Sequence, residues 1–188
     1  MYINNMVFKI CIVGIPSVGK TTVFNYMKEI FSTTKHKVKF VEEYARIFIN
    51  EHGSINNMSE QRYIAQKQQE LENNNDADII VTESPVWTSL AYSNMYFLNT
   101  NKDYELYNKL KEECKKYKYD IVIYCNSFGK YINDGVRYQK EEELGKLEYY
   151  IRKILHKYNN GDIITLPKSK KARYSMLQCI IKNIEEYK

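Results

Sequence analysis

The chain has 188 residues, enough for one domain, spanning 1–188, with a full hydrophobic core. Its net charge of +5, from 28 basic and 23 acidic residues, suits a polyanionic ligand but falls short of a dedicated nucleic-acid binder. No apolar run is long enough to span a bilayer, Lys9 interrupts the N-terminal apolar stretch and argues against a signal peptide, and four scattered cysteines lack any CxxC or metal spacing. The expectation is a cytoplasmic protein with reduced thiols and no membrane partner.

The first predicted element is a strand, Phe8–Val13, followed by Gly14-Ile15-Pro16-Ser17-Val18-Gly19-Lys20-Thr21 and a helix over Lys20–Phe31 with Val23, Phe24, Met27, Ile30 and Phe31 at helical spacing. That eight-residue stretch is a complete GxxxxGK[ST] phosphate loop in its proper strand–loop–helix setting. Its glycines let backbone N–H groups turn inward toward phosphate oxygens, and the helix behind adds partial positive charge. Lys20 offers a point charge to the β- and γ-phosphates and Thr21 a hydroxyl to Mg²⁺. Gly14, Pro16, Ser17, Val18, Gly19, Lys20, Thr21 and Thr22 are therefore the expected donor-binding residues, with ATP and Mg²⁺ as cofactors.

A second short strand, Lys37–Val41, ends at Glu42-Glu43 and is followed by a helix, Tyr44–Asn50. After a loop, Ser59 is the expected N-cap of a helix reaching about Asn73. A buried third strand covers Asp78–Thr82, with Glu83-Ser84 beyond it, and Pro85 suits the first turn of a helix to about Leu98. A helix over Asp103–Lys116, a fourth strand over Ile121–Cys125 and a polar loop over Asn126–Gln139 come next. An amphipathic helix over Glu141–Tyr158, a fifth strand over Asp162–Leu166 and a last helix over about Arg173–Tyr187 complete the pattern.

Alternating strands and helices predict an α/β three-layer sandwich, a parallel sheet with helices on both faces. Ligands of such sheets lie outside the carboxyl ends of the strands. The phosphate loop, Glu42-Glu43, Glu83-Ser84 and the loop after Cys125 all fall at that edge. Asn101-Lys102-Asp103-Tyr104 lacks the final Asp of a guanine-recognition motif and sits between helices, which argues against a GTPase.

In chain order, Glu43-Tyr44-Ala45-Arg46, Ile64-Ala65-Gln66-Lys67-Gln68, the acidic strand end at Glu83, Asp134-Gly135-Val136-Arg137 and Arg173 resemble the ribosylnicotinamide kinase domain of NadR-type proteins and the related AAA_28 group of small phosphate-loop kinases. The resemblance covers nearly the whole chain. It implies a nucleoside- or nucleotide-kinase-like fold with sheet order 2-3-1-4-5, transfer of the γ-phosphate of ATP to a nucleoside-type hydroxyl, and ribosylnicotinamide as acceptor. The chain departs from the pattern in carrying Glu83 where the family usually has Asp, and Lys130-Tyr131 where family lids often have Pro-Trp. Both changes bear on the acceptor.

On this reading Lys20, Glu43, Glu83 and Arg137 are the expected catalytic residues, with Glu43 or Glu83 as general base. Thr21 and Glu83 are the expected Mg²⁺ ligands. Arg137 belongs to a lid at about 126–145, with Gly135 as its flexible point, since phosphoryl transfer needs mobile positive charge. Arg46, Gln68, Trp87 and Asp134 are the expected acceptor-binding residues. Tyr92 stands with Trp87 as a second aromatic face, each equally suited to the core. Arg173, in the loop-to-helix segment after the fifth strand, is assigned to the adenine side. Basic clusters at Lys35–Lys39 and Lys168–Arg173 keep open a hydroxyl in DNA or RNA as acceptor, and a nucleotide-dependent switch with no acceptor is the third alternative.

Overall fold

A computed structural model describes residues 7–73, 76–126, 140–159 and 161–187. Five strands, β1 (Phe8–Val13), β2 (Val38–Val41), β3 (Ile79–Glu83), β4 (Ile121–Tyr124) and β5 (Asp162–Thr165), form one sheet in the order β2-β3-β1-β4-β5. Every pairing is parallel, with Ile10 opposite Val81 on one side and Ile121 on the other. This is the order implied by the family resemblance. The central strands are apolar along their length because both faces are covered; Ile10, Ile12, Val13, Ile79 and Val81 are fully buried.

The helices are α1 (Lys20–Phe31), α2 (Tyr44–His52), α3 (Met58–Glu72), α4 (Thr88–Tyr96), α5 (Asn101–Cys114), α6 (Leu144–Tyr158) and α7 (Lys170–Tyr187), with a single 3₁₀ turn over Glu141–Glu143 before α6. On one face α1 packs against β1, β3 and α7, and Phe24 and Phe31 meet Phe40 of β2 edge-on. On the other, α4 packs against α6 and α3 against α5, and Val13 lies beside Trp87, Ile151 and Leu155. Successive residues of a strand face opposite sides, so one sheet serves two helical layers.

Helix starts differ from the sequence expectations where side chains outside the apolar pattern act as caps. The N-cap of α3 is Asn57, two residues before Ser59; its Oδ1 accepts from the Glu60 N–H at 3.0 Å, and the Glu60 carboxylate reaches back to the Asn56 N–H at 2.7 Å. Likewise Thr100 and Asp103 form a reciprocal capping box that starts α5 at Asn101. Pro85 opens a turn closed by Thr88 N–H to its carbonyl, and α4 begins only at Thr88. β3 runs one residue further than expected and ends on Glu83 itself, which pairs in register with Ile12.

Candidate active site

The phosphate loop leaves β1 at Gly14, whose position is set by close approach. A Cβ there would lie 2.5 Å from the Cys125 carbonyl oxygen at the end of β4. Gly19 has φ +86°, the left-handed region glycine tolerates, and Ser17 shares that region at φ 63°. The first intrahelical N–H of α1 is that of Val23, bonded to Gly19, so the amides before it belong to the open, partially positive end of the helix. Lys20 is 5% exposed, and its Nζ donates to the Gly14 and Ile15 carbonyls at 3.0 Å each. The ammonium is thus held over the loop that would wrap the phosphates. Burial pushes the Cys125 thiol up to about 11, opposed by the positive charges of Lys20 and Arg173.

Thr21 Oγ1 donates to Glu83 Oε1 at 2.6 Å. Glu83 is buried at the carboxyl end of β3, and the next residue, Ser84, turns the chain away with φ 65° while its N–H bonds the Ile12 carbonyl at 2.9 Å. Left-handed backbone at a residue other than glycine is uncommon, and here it directs the chain out of the sheet directly behind a site carboxylate. The two expected Mg²⁺ ligands are therefore in direct contact. A hydroxyl and a carboxylate offer the hard oxygen donors that Mg²⁺ prefers, with room left for phosphate oxygens and water on the exposed Thr21 side.

Glu42 and Glu43 separate cleanly. Glu42 is exposed and pairs with Lys28 of α1 at 3.5 Å, a surface ion pair. Glu43 is half-buried, occupies the N-cap position of α2, and lines a narrow cleft of about 20 Å³ with Gln61, Gln68, Ser84, Ser89 and Tyr92. Arg46 is half-buried one turn into α2, its N–H bonded to the Glu43 carbonyl at 3.1 Å.

Two expected acceptor contacts are different in the structure. Trp87 is 1% exposed, its indole N–H donates to the Cys114 carbonyl at 3.0 Å, and its ring packs edge-on against Tyr119. It is a core residue and presents no stacking face. Its neighbour Tyr92 lines the cleft instead, because α4 places Thr88, Ser89 and Tyr92 on the side toward Glu43. Gln68 borders the cleft too, but its amide is engaged within the protein. Oε1 accepts from the Tyr44 N–H at 2.9 Å, and Nε2 donates to Thr82 Oγ1 at 2.9 Å and Glu72 Oε1 at 3.1 Å. Arg173 is bound to the loop backbone: Nε donates to the Pro167 carbonyl at 2.8 Å and Nη1 to the Val18 carbonyl at 3.1 Å. It braces the phosphate loop against the start of α7. Asp134, Gly135 and Arg137, with most of the expected lid, lie outside the described residues.

Sequence reasoning missed Glu72. It is fully buried, its pKa is raised by burial, and it accepts from Gln68, Thr82 and Tyr119. The available signal was the spacing of Gln61, Ile64, Ala65, Gln68 and Glu72, which share the buried face of α3.

Among solved structures the fold has many counterparts. Two are NadR structures, described as in complex with NR (TM-score 0.69, 16% identity) and with NAD and AMP-PNP (TM-score 0.67, 13% identity). In each, 94% of this chain is covered, against 51% and 49% of the NadR chain, so this chain spans about half the length of those proteins. A third is deoxyadenosine kinase from M. mycoides, with the products dCMP and a flexible dCDP bound (TM-score 0.64, 14% identity), covering 96% of this chain and 100% of that one. No curated protein matches the sequence. The AAA_28 family model, described as an AAA domain, matches residues 9–173, from β1 through the phosphate loop to Arg173. With that match spanning all five strands and the loop they carry, the chain belongs to the AAA_28 family.

Proposed function

We propose that this protein is a kinase that transfers the γ-phosphate of ATP to a hydroxyl of a small nucleoside or nucleotide, with ribosylnicotinamide the acceptor suggested by resemblance. One observation carries the reading most strongly: a second carboxylate, Glu43, borders a cleft beside the Thr21–Glu83 pair of the phosphate loop. The NadR and deoxyadenosine kinase likenesses support the same class of acceptor.

The loop amides and Lys20 hold the triphosphate and orient its terminal phosphoryl group toward the cleft. Mg²⁺, when bound, neutralises charge on the phosphates; Thr21 and Glu83 are the residues that would hold it. Glu83 is committed to Thr21 on this account, which leaves Glu43 to accept the proton of the attacking hydroxyl. Tyr92 offers an aromatic wall for a flat base, and Ser84, Thr88 and Ser89 offer hydroxyls along the same cleft.

The test is ADP release measured with nicotinamide riboside, with each 2′-deoxynucleoside, and with neither. The expected outcome is stimulation by at least one nucleoside, with Glu43→Gln lowering kcat about 100-fold at unchanged ATP affinity, as loss of a general base predicts. Release that no nucleoside accelerates would count against the reading.

A further inference from the structure

Behind the cleft lies a set of buried polar groups with no contact to the phosphate loop. Glu72 Oε1 accepts from Thr82 Oγ1 at 3.0 Å and from Gln68 Nε2 at 3.1 Å, and its Oε2 accepts from the Tyr119 hydroxyl at 2.7 Å. Gln68 Nε2 also donates to Thr82 Oγ1, and Gln68 Oε1 accepts from the Tyr44 N–H. Tyr119 in turn accepts from the Val86 N–H at 3.2 Å. All four side chains are buried, with Glu72 and Thr82 fully so. Buried polar groups persist when each has its partner, and here both carboxylate oxygens are satisfied, Oε1 by two donors and Oε2 by one.

The ends of this set matter more than its middle. Tyr44 directly follows Glu43, Thr82 directly precedes Glu83, and Val86 lies in the turn that Pro85 opens, two residues past Ser84. One connected group of side chains therefore anchors the backbone beside both site carboxylates. The orientation of the Gln68 amide decides whether the anchor holds. Its oxygen must face Tyr44, because a backbone N–H only donates, and its nitrogen must face an acceptor. The Glu72 carboxylate is the acceptor that enforces that choice. Turned the other way, the amide would set N–H against N–H and leave the start of α2 without its partner.

We infer that Glu72 is a positioning residue of the acceptor site: through Gln68 and Tyr119 it fixes where Glu43 stands relative to Glu83. The inference rests on the kinase reading for its kinetic consequence and on geometry alone for its structural one. Misplacing a reacting group by about 1 Å costs on the order of 100-fold in rate, so loosening this anchor acts on transfer and spares ATP binding.

The experiment compares Thr82→Val, which keeps the shape and removes the hydroxyl, with Thr82→Ser, which keeps the hydroxyl. Glu72→Gln is the second test, usable if Thr82→Val fails to fold. Two readouts are taken. Amide hydrogen exchange, on protein without ligands, is expected to rise at Tyr44 in Thr82→Val, which removes one of the two acceptors of Gln68 Nε2, and at Val86 in Glu72→Gln, which removes the acceptor of the Tyr119 hydroxyl, with Ser84 as an unaffected control. Transfer kinetics use nicotinamide riboside and 2′-deoxyadenosine as acceptor probes. The expected result is a fall in kcat of about 10- to 100-fold with an unchanged KM for ATP, rescued in Thr82→Ser. Wild-type kcat in Thr82→Val and Glu72→Gln overturns the inference, as does unchanged exchange at Tyr44 in the first variant and at Val86 in the second. A wild-type protein that phosphorylates neither probe removes the kinase reading for these acceptors, and the exchange readout then decides the positioning role by itself.

Discussion

Trp87 and Tyr92, on one segment, show how single residues divide between core and site. Trp87 is enclosed, with its indole N–H bonded to the Cys114 carbonyl, whereas Tyr92 lies half-buried on the cleft. Trp87→Ala should therefore destabilise the fold by about 3–5 kcal/mol, read as a shifted urea midpoint. Tyr92→Ala should leave that midpoint close to wild type and raise KM for the acceptor. The opposite pattern would place the stacking face on Trp87. Glu42 and Glu43 divide in the same way. One is spent on a surface pair with Lys28, and the other borders the cleft. Sequence adjacency could not separate them, because the strand that would assign their faces ends there.

At the scale of elements, the strands were legible because an all-parallel sheet buries both faces and leaves apolar runs such as Ile79-Ile80-Val81 in the sequence. The phosphate loop was legible because its chemistry dictates residue types at fixed spacing. Helix starts were less so, since Asn57 and Thr100 sit outside the apolar periodicity and act through bonds to residues three positions on. The assignment has a measurable consequence: Asn57→Ala should cost about 1 kcal/mol in urea denaturation, and Ser59→Ala much less. Equal losses would return the cap to Ser59. The burial of Glu72 was readable from the helical spacing of α3, but its bonding was not. Its partners Thr82 and Tyr119 lie 10 and 47 positions away, beyond any local pattern, and only the sheet brings them together. Gln68, read from a family segment as an acceptor contact, proves to be the link between that carboxylate and the start of α2.

The molecule as a whole gathers its chemistry at one edge. The sheet order puts β1 between β3 and β4, so the loop after β1 meets Glu83 on one side and Cys125 on the other. Glu43 comes in from β2, one strand further out, and the cleft opens between it and the turn after Glu83. Strand order alone thus brings the phosphate loop, Glu83 and Glu43 to the carboxyl edge of the sheet, before any side chain is considered. Among the described residues no helix is long and apolar enough to cross a membrane. The measurement that bears most directly on this account uses ATP labelled at the γ-phosphate. Nicotinamide riboside, deoxynucleosides, their monophosphates and single-stranded DNA are offered in turn, at low and high salt. The account predicts label on a nucleoside or nucleotide, little changed by salt and abolished by Lys20→Ala. Label on DNA alone, falling steeply with salt, or transfer that survives Lys20→Ala, would contradict it.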